Sequence, residues 1–405
     1  MSATGSPNTI GPPELQVPLT PNSERPPLLS PALLLVCIAS FGALVSFYLL
    51  LAVVPLFAAS VGANGIGAGL TTGALMLATV ATELATPKLT QMFGRRAMFA
   101  IGLLLLGAPA FALLGSTSMV SILIVCVVRG IGFAVIAVLG SALVAALVPP
   151  TRRAEGLGLY GVVVGVPGIL ALPIGVWMAE HVGFGAVFVV GALASLLGIV
   201  AIPQLPKRWA DAESSHPVVG MMEAFRSRAL AGPAALFSLS AMATGVVVTF
   251  LALALPSGSG NVVAGALLAN AAASTICRWF AGHHGNRIGS ARLLFGGVTA
   301  AAMGTLLLAL TSSSVAVIVG MLLLGAGFGV AQNASLSLMY EHAAVSAYET
   351  VSAVWNIAYD AGLGLGSSCF GVLAAWAGYP AAFVVTGGMM FAVLLAARIR
   401  RVEHA

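Results

Sequence analysis

Charged side chains are scarce in this sequence and are missing from long parts of it. Asp, Glu, Lys and Arg make up 7% of the 405 residues, against about 25% in an average soluble domain. None of them occurs in 31–82 or in 229–277, and each run is long enough for two membrane helices of about 20 residues. The scarcity excludes a soluble fold. Because the apolar runs are continuous rather than alternating, they exclude a transmembrane barrel and indicate an all-α polytopic membrane protein.

The chain also has little that points to bound metals, nucleotides or catalysis. Its 4 cysteines fall in apolar runs, where we expect small packing residues rather than disulfide partners or metal ligands. A phosphate-binding sequence of the form Gly-x-x-x-x-Gly-Lys-[Ser/Thr] is missing, which argues against a built-in ATPase. His283 and His284 are adjacent, but no His-x-x-x-His or Glu-x-x-His pattern accompanies them. We therefore expect no enzyme activity, no cofactor or metal, and no nucleic-acid partner.

Clusters of turn-forming residues divide the apolar part of the chain into twelve predicted membrane helices. They are 31–57, 66–86, 97–115, 119–148, 156–180, 184–203, 230–255, 261–281, 293–311, 314–338, 349–375 and 380–397. The first 30 residues are rich in proline and polar residues and are expected to form a disordered tail rather than a signal peptide. The predicted organisation is a tail at 1–30, a six-helix bundle at 31–203, a linker at 204–229, a second bundle at 230–397 and a tail at 398–405.

The lysines and arginines outside the spans predict how the chain sits in the membrane. They occur in the first tail, in the loops after the second, fourth and eighth spans, in the linker and at the C-terminus, whereas the other loops carry none. Cytoplasmic loops of membrane proteins carry an excess of Lys and Arg. We therefore expect a multi-pass protein embedded in the lipid bilayer of the plasma membrane, with both termini in the cytoplasm. We also expect the protein to be a monomer.

The two predicted bundles are related by a repeat of 195 residues. At this offset Gly94 falls on Gly289, "GIGF" at 130–133 falls on "GAGF" at 325–328, and "GFGAVFVV" at 183–190 falls on "GYPAAFVV" at 378–385. Chance matching of glycine-rich sequence does not readily give three matches in one register. Parallel repeats that surround a site at the membrane midplane are an arrangement found in secondary transporters.

The same offset aligns two loops that resemble a family motif, "PKLTQMFGRR" at 87–96 and "GHHGNRIGSA" at 282–291. Both are similar to the loop motif of the major facilitator superfamily, Gly-x-x-x-Asp-[Arg/Lys]-x-Gly-[Arg/Lys]-[Arg/Lys]. The matched residues are Gly94, Arg95 and Arg96 in the first copy and Gly282, Arg287 and Gly289 in the second. Gln91 and Asn286 replace the acid of the motif. The resemblance implies twelve helices in two parallel-repeat bundles, and a gating part for Arg95, Arg96 and Arg287.

A segment of the predicted fifth span resembles the drug/proton antiporter branch of that superfamily. The sequence "GVVVGVPGILALPIG" at 161–175 is similar to the branch motif Gly-x-x-x-Gly-Pro-x-x-Gly-Gly, in altered spacing. Gly161 and Gly165 match its leading glycines, and Pro167, Gly168, Pro173 and Gly175 supply its small and bent character. Glycine and proline in a span allow close helix approach and a bend. The resemblance implies efflux coupled to protons.

Two ionisable residues are predicted to lie near the middle of the membrane. Arg129 matches an arginine that the antiporter branch carries in its fourth span, where the resemblance implies a part in proton coupling. A purely structural role, with an acid or carbonyl as partner, is the alternative. Asp360 in the eleventh span is a candidate to bind and release a proton as access alternates. A permanent pair with Arg129, or a role in helix packing, is the alternative for Asp360.

Opposite charges at equivalent repeat positions indicate a gate. Glu83 and Arg278 lie 195 residues apart, near the predicted cytoplasmic ends of the second and eighth spans, and Glu155 is a candidate mate for Arg278. Extension of these side chains to the membrane surface is the alternative. The residues expected to line a central cavity are Asn270, Gln332, Asn333, Trp355, Asn356 and Tyr359.

These patterns predict a secondary transporter that exports a small amphiphilic compound in exchange for protons by alternating access. Import by proton symport or by uniport is the alternative within transport, because the antiporter motif is imperfect. A non-transporting sensor or scaffold, and a membrane enzyme that uses His283 and His284, are the alternatives from other classes. The fold carries chemically unrelated compounds, so the sequence does not name the substrate.

Overall fold

The structure, a computed structural model, describes residues 30–116, 118–148, 153–205, 226–343 and 348–402. In these ranges it is helical and has no strand, and twelve helices are long and apolar enough to cross a membrane, which confirms the predicted fold class. The helices are α1 (Pro31–Ser60), α2 (Gly65–Phe93), α3 (Arg95–Gly107), α4 (Met119–Leu147), α5 (Arg153–His181), α6 (Phe184–Leu196), α7 (Arg228–Ala254), α8 (Gly260–Ile288), α9 (Ser290–Leu307), α10 (Ser314–Glu341), α11 (Tyr348–Ala377) and α12 (Tyr379–Val402). Short helical segments continue α3 to Gly115 and α6 to Gln204. Nearly all of the predicted first tail and most of the predicted linker lie outside the described residues.

Polar residues at the ends of the apolar runs start several helices. The Ser30 hydroxyl accepts a hydrogen bond from the backbone N–H of Leu33 at 3.1 Å, and the Asn64 side chain accepts one from Gly67 at 3.1 Å. Such caps satisfy backbone donors that have no partner in the first helical turn. Inside the membrane, the long apolar runs form helices because a helix satisfies all its other backbone groups internally.

Helices α2 and α8 extend about two turns beyond the spans predicted from sequence. The predicted spans end at residues 86 and 281, whereas α2 ends at Phe93 and α8 at Ile288. The polar residues at these positions indicated loops, but a helix can continue past the apolar layer when its side chains reach water. Glu83 therefore lies 10 residues before the end of its helix, although it remains near the end of the apolar span, which stops at Thr86.

Backbone conformation repeats with the same period as the sequence. Gly94 and Gly289 have φ of 80° and 91°, and Gly183 and Gly378 have φ of 105° and 78°. Each pair is separated by 195 residues. Residues with a side chain rarely adopt positive φ, so glycine is favoured at each of these helix-to-helix turns. The repeat therefore reflects two equivalent sets of connections.

Helices α1–α6 pack mainly among themselves, as do α7–α12, and the main contacts between the two groups are α2 with α11, α5 with α8 and α1 with α7. We call the two groups the N-bundle and the C-bundle. The end of the molecule that carries Arg95, Arg96, Arg287 and Arg292 is called the basic end, and the other is the opposite end. The sequence predicts that the basic end faces the cytoplasm.

Candidate transport site

Two acidic side chains meet where the bundles contact each other. The carboxyl groups of Glu83 on α2 and Asp360 on α11 lie within hydrogen-bonding distance of one another. Asp360 is buried, with 5% of its surface exposed. The Oε2 atom of Glu83 is also buried and has no donor within reach in the described part of the chain. We call these two residues the carboxyl pair.

The carboxyl pair and Arg278 lie at one level of the molecule. Glu83 and Arg278 are each 18 residues, or about 27 Å, from the start of their helices at the opposite end. Asp360 is 17 residues, or about 26 Å, from the end of α11 on that side. The apolar layer of a bilayer is about 30 Å thick. All three residues therefore lie at about the same depth, nearer to the basic end than to the opposite end.

Two tyrosines lie near both Asp360 of the carboxyl pair and Arg278. Tyr48 on α1 and Tyr359 on α11 lie within electrostatic range of both Asp360 and Arg278. Both side chains are half-buried. Tyr359 was among the predicted cavity residues. Tyr48 was missed, since nothing in the apolar sequence of α1 shows that it faces the other bundle.

Arg278 is held by a neutral side chain. Its Nη1 donates to Oε1 of Gln332 on α10 at 3.1 Å. In the described ranges it forms no ion pair with an acid. The predicted mate Glu155 has its side chain outside the described structure. The positive charge of Arg278 is therefore not neutralised by a described carboxylate in contact with it.

A hydrogen-bonded path continues from Gln332 to an aromatic side chain. Ser335, one turn further along α10, donates to the backbone carbonyl of Gln332 at 3.3 Å, and Trp355 Nε1 donates to the Ser335 hydroxyl at 3.0 Å. Trp355 stacks on Phe237 of α7, with ring centroids 4.8 Å apart and planes 6° apart. Tyr359, one turn along α11 from Trp355, stacks on the same phenylalanine at 6.0 Å. The predicted residues Gln332, Trp355 and Tyr359 thus belong to one wall of the C-bundle.

The other predicted cavity residues have different surroundings. Asn270 donates its side-chain amide to the backbone carbonyl of Met321 at 3.0 Å, so it joins α8 to α10. Asn333 lies beside Gly282, also between α8 and α10. Asn356 is exposed. Among the hydrogen bonds of the described residues, none joins these three side chains to the carboxyl pair, and their part in a cavity stays a prediction.

Arg129 lies in the N-bundle and has backbone groups as its main partners. Its Nη1 donates to the carbonyl of Leu106 on α3 at 2.5 Å, and its Nη2 to the carbonyl of Ser46 on α1 at 3.0 Å. Only 1% of its surface is exposed. It is 10 residues from the start of α4, about 15 Å from the opposite end, and so about 10 Å from the level of Asp360. It therefore does not pair with Asp360 in this conformation.

The residues of the antiporter-like segment occupy a continuous helix α5, with Pro167 and Pro173 inside it. A Cβ added at Gly161 or Gly165 would meet no atom of the described residues within 4 Å. These glycines are therefore not at a close helix contact here, contrary to one of the two uses expected of them. Gly175 is at such a contact, since a Cβ there would lie 2.5 Å from the carbonyl oxygen of Leu49 on α1.

The predicted gating arginines lie at the basic end. Arg95 and Arg96 begin α3 and line a surface cavity with Phe93, whereas Arg287 is exposed in the last turn of α8. A cation there interacts favourably with the helix dipole. Their part in gating stays a prediction.

His283 and His284 lie in the last turns of α8 rather than in a loop. Their rings stack on Trp279 and Phe280, one helical turn earlier, with centroids 5.6 and 4.3 Å apart. In the described ranges, no group of three or more His, Cys, Asp or Glu is placed to hold a metal ion. The pair therefore has the packing of helix surface residues.

The interface between the carboxyl pair and the opposite end is tightly closed. A Cβ added at Gly69 on α2 would overlap the backbone carbonyl of Ser367 on α11. The hydroxyls of Thr72 on α2 and Thr249 on α7 share a hydrogen bond of 2.9 Å. Small side chains allow helix backbones to approach this closely.

A second contact closes the opposite end between α5 and α8. The backbone N–H of Gly260, at the start of α8, donates to the carboxylate of Glu180 at 3.3 Å. The first turn of a helix attracts a carboxylate because its N–H groups are unpaired and its dipole is positive there. No sequence pattern indicates a role for Glu180, because its partner is 80 residues away along the chain.

Known transporters share the whole of this fold. The nucleoside transporter NupG superposes with a TM-score of 0.74 at 13% identity, over 91% of this chain and 98% of that chain. A bacterial homolog of the human lysosomal transporter Spinster, in an inward-facing and unoccupied conformation, superposes with a TM-score of 0.74 at 15% identity, over 92% and 98% of the two chains. At these identities the likeness shows the fold alone.

Sequence similarity leads to the same family. The riboflavin transporter RibZ of Clostridioides difficile (strain 630) is 24% identical over 135 residues, which are 32% of this chain and only 30% of that protein. The family model described as Major Facilitator Superfamily matches residues 36–367, from the first helix into the eleventh. The match covers most of both bundles and includes both acids of the carboxyl pair. This chain belongs to the Major Facilitator Superfamily.

Proposed function

We propose that this secondary transporter of the major facilitator type couples the movement of a small amphiphilic compound to the movement of protons. The observation that carries the proposal is the contact between Glu83 and Asp360 across the bundle interface. A hydrogen bond between two carboxyl groups needs a proton on one of them, and two ionised carboxylates at that distance repel each other. The contact between α2 and α11 therefore depends on whether the pair holds a proton.

Alternating access supplies the coupling in this proposal. The closed opposite half, joined through Gly69 and Thr72, corresponds to a state in which the pair is reached from the basic end. Opening the opposite half moves α2 against α11, which changes the surroundings of the pair and the side from which a proton reaches it. Arg129 is the second predicted part of the coupling, and it acts through the N-bundle because it has no contact with the pair.

The arrangement in the membrane is part of the proposal. The loop cations favour a basic end in the cytoplasm, with both termini on that side and residues 204–229 as the linker between bundles. We propose a monomer, because each chain has both bundles and the complete interface. Protease digestion of a terminal tag in intact and in permeabilised cells tests the orientation. Digestion in intact cells contradicts it.

Two transport modes follow from proton coupling. Export by antiport is supported by the resemblance of residues 161–175 in α5 to the antiporter motif. Import by symport is the alternative, because the antiporter motif is imperfect and the matched relative RibZ is described as a transporter of riboflavin. The two modes differ in whether the compound moves against the protons or with them.

Transport by purified protein in liposomes tests both modes. Antibiotics, dyes and metabolites are offered with a pH gradient of two units imposed in either direction, and the fluxes of compound and protons are both recorded. Accumulation on the acidic side indicates antiport, and accumulation on the alkaline side indicates symport. If the gradient does not affect the flux of any transported compound, proton coupling is contradicted. If no compound is transported at all, the result favours the non-transporting scaffold.

A further inference from the structure

We infer that the transported compound is an organic anion with an aromatic body, bound with its anionic group at Arg278 and its ring beside Trp355 and Tyr359. This inference rests on the proposed function, because it names the substrate class of the same site. It is carried by the geometry of α8, α10 and α11 at the level of the carboxyl pair.

The positive charge of Arg278 needs a partner within the membrane. A guanidinium deep in a membrane protein is costly unless it meets an acid, a carbonyl, water or an anionic ligand. In the described ranges its hydrogen-bond partner is the neutral amide of Gln332, which occupies only Nη1. The Arg278 side chain is half-buried, and Gln332 does not occupy the other N–H groups of its guanidinium. Such a fork of N–H donors fits the two oxygens of a carboxylate or a related anion.

An aromatic surface lies next to this charge. Gln332 connects Arg278 to Ser335, whose hydroxyl fixes the indole of Trp355 at 3.0 Å. Trp355 and Tyr359 are half-buried, and both stack on the buried ring of Phe237. The rings are thus held by packing from behind while part of each remains exposed. A flat apolar ligand gains contact area there without ordering new side chains.

The carboxyl pair affects the binding of an anion at Arg278. Tyr48 and Tyr359 lie within electrostatic range of both Asp360 and Arg278, so an anion bound at Arg278 lies in the neighbourhood of the carboxyl pair. A bound anion is repelled less when the pair holds its proton. Anion and proton therefore favour each other's binding and move in the same direction, which supports symport over antiport. A cationic compound would compete with the proton instead.

Three probes with one naphthalene ring test the inference: 2-naphthoate, neutral 2-naphthamide and cationic 2-naphthylmethylammonium. Their binding to the purified full-length protein in lipid nanodiscs is measured by equilibrium dialysis, without a pH gradient. We expect naphthoate to bind about tenfold more tightly than the amide, the effect of one charge-assisted hydrogen bond. In Arg278→Gln this preference should disappear. In Arg278→Lys, which keeps the charge, part of it should remain.

Control variants separate the anion contact from the ring contact. Arg292→Gln removes an exposed cation at the basic end and should leave the tenfold preference intact. Trp355→Leu should weaken the binding of all three probes by a similar factor, because ring contact does not depend on their charge. Size-exclusion profiles check folding, and Arg278→Lys keeps the test valid if Arg278→Gln does not fold.

Several results overturn the inference. They are equal binding of naphthoate and amide, tighter binding of the cation, no binding of naphthoate at millimolar concentration, or an anion preference that survives in Arg278→Gln. Failure of proton coupling is a separate result, since binding is measured without a gradient. A protein that prefers naphthoate but shows no gradient-driven flux would retain this substrate class and lose the proposed coupling.

Discussion

Replacing Asp360 by Asn tests the carboxyl pair most directly. The amide of Asn has a similar shape and can donate to Glu83, so it keeps the contact between α2 and α11 without an exchangeable proton. At about 3 Å, the distance of a hydrogen bond, two unit charges repel by about 5 kcal/mol at an effective dielectric constant of 20. The wild-type contact is therefore expected to require a proton, whereas the variant contact is not.

The expected magnitude follows from the imposed gradient. Each pH unit is worth about 1.4 kcal/mol per proton, so a gradient of two units with one proton per cycle sustains about 100-fold accumulation of the substrate. In Asp360→Asn the accumulation ratio should fall to about 1. Exchange of labelled for unlabelled substrate across the same liposomes should continue, because it needs no net proton movement. Glu83→Gln should behave in the same way.

A matched acid outside the interface provides the control. Glu341, at the basic end of α10, accepts a hydrogen bond from Ser290 at 2.5 Å and lies away from the pair. Glu341→Gln should keep the full accumulation ratio. If Asp360→Asn or Glu83→Gln still accumulates substrate about 100-fold, the pair does not carry the coupled proton. Loss of exchange together with accumulation would show a binding defect instead.

Three further predictions concern the packing of the bundles. Gly69→Ala should widen the opposite end, because its methyl group meets the carbonyl of Ser367. Distances between spin labels in the loops before α2 and after α11 measure this widening. Gly115→Ala should leave these distances unchanged, because its added methyl group meets no described atom within 4 Å. Glu180→Gln should weaken the contact with the first turn of α8 and widen the distance between α5 and α8 at that end; an unchanged distance argues against the contact. Arg129→Met should lower the free energy of unfolding by about 1–3 kcal/mol, because its buried hydrogen bonds are lost. The loss should appear as a lower unfolding temperature in detergent. Loss of proton coupling at an unchanged unfolding temperature would instead favour the coupling role of Arg129.

Much of the fold was predictable because its signals are local. Each helix needs a continuous apolar run of membrane length, and twelve such runs can be counted along the chain. Gly94 and Gly183 match Gly289 and Gly378 because turns with positive φ favour glycine wherever the repeat places them. The predicted second span ends at residue 86, as the apolar span of the structure does, but helix α2 continues to Phe93 because polarity marks the edge of the apolar layer and not the end of a helix.

The partners of the ionisable residues were not predictable from the sequence alone. Repeat symmetry connected Glu83 with Arg278, and depth along the chain connected Asp360 with Arg129. In the structure Glu83 faces Asp360, while Arg278 binds Gln332 and Arg129 binds backbone carbonyls. These contacts depend on the rotation of each helix about its axis and on which helices of the two bundles become neighbours.

The sequence by itself determined the number of membrane helices, their order, the repeat and the scarcity of charge in the membrane. Only the tertiary structure decided that the few buried charges form a carboxyl pair across the bundle interface and an arginine beside an aromatic wall in the C-bundle. The physical reason is that helix formation depends on neighbouring residues, whereas the carboxyl pair joins residues 83 and 360, which packing of α2 against α11 brings together.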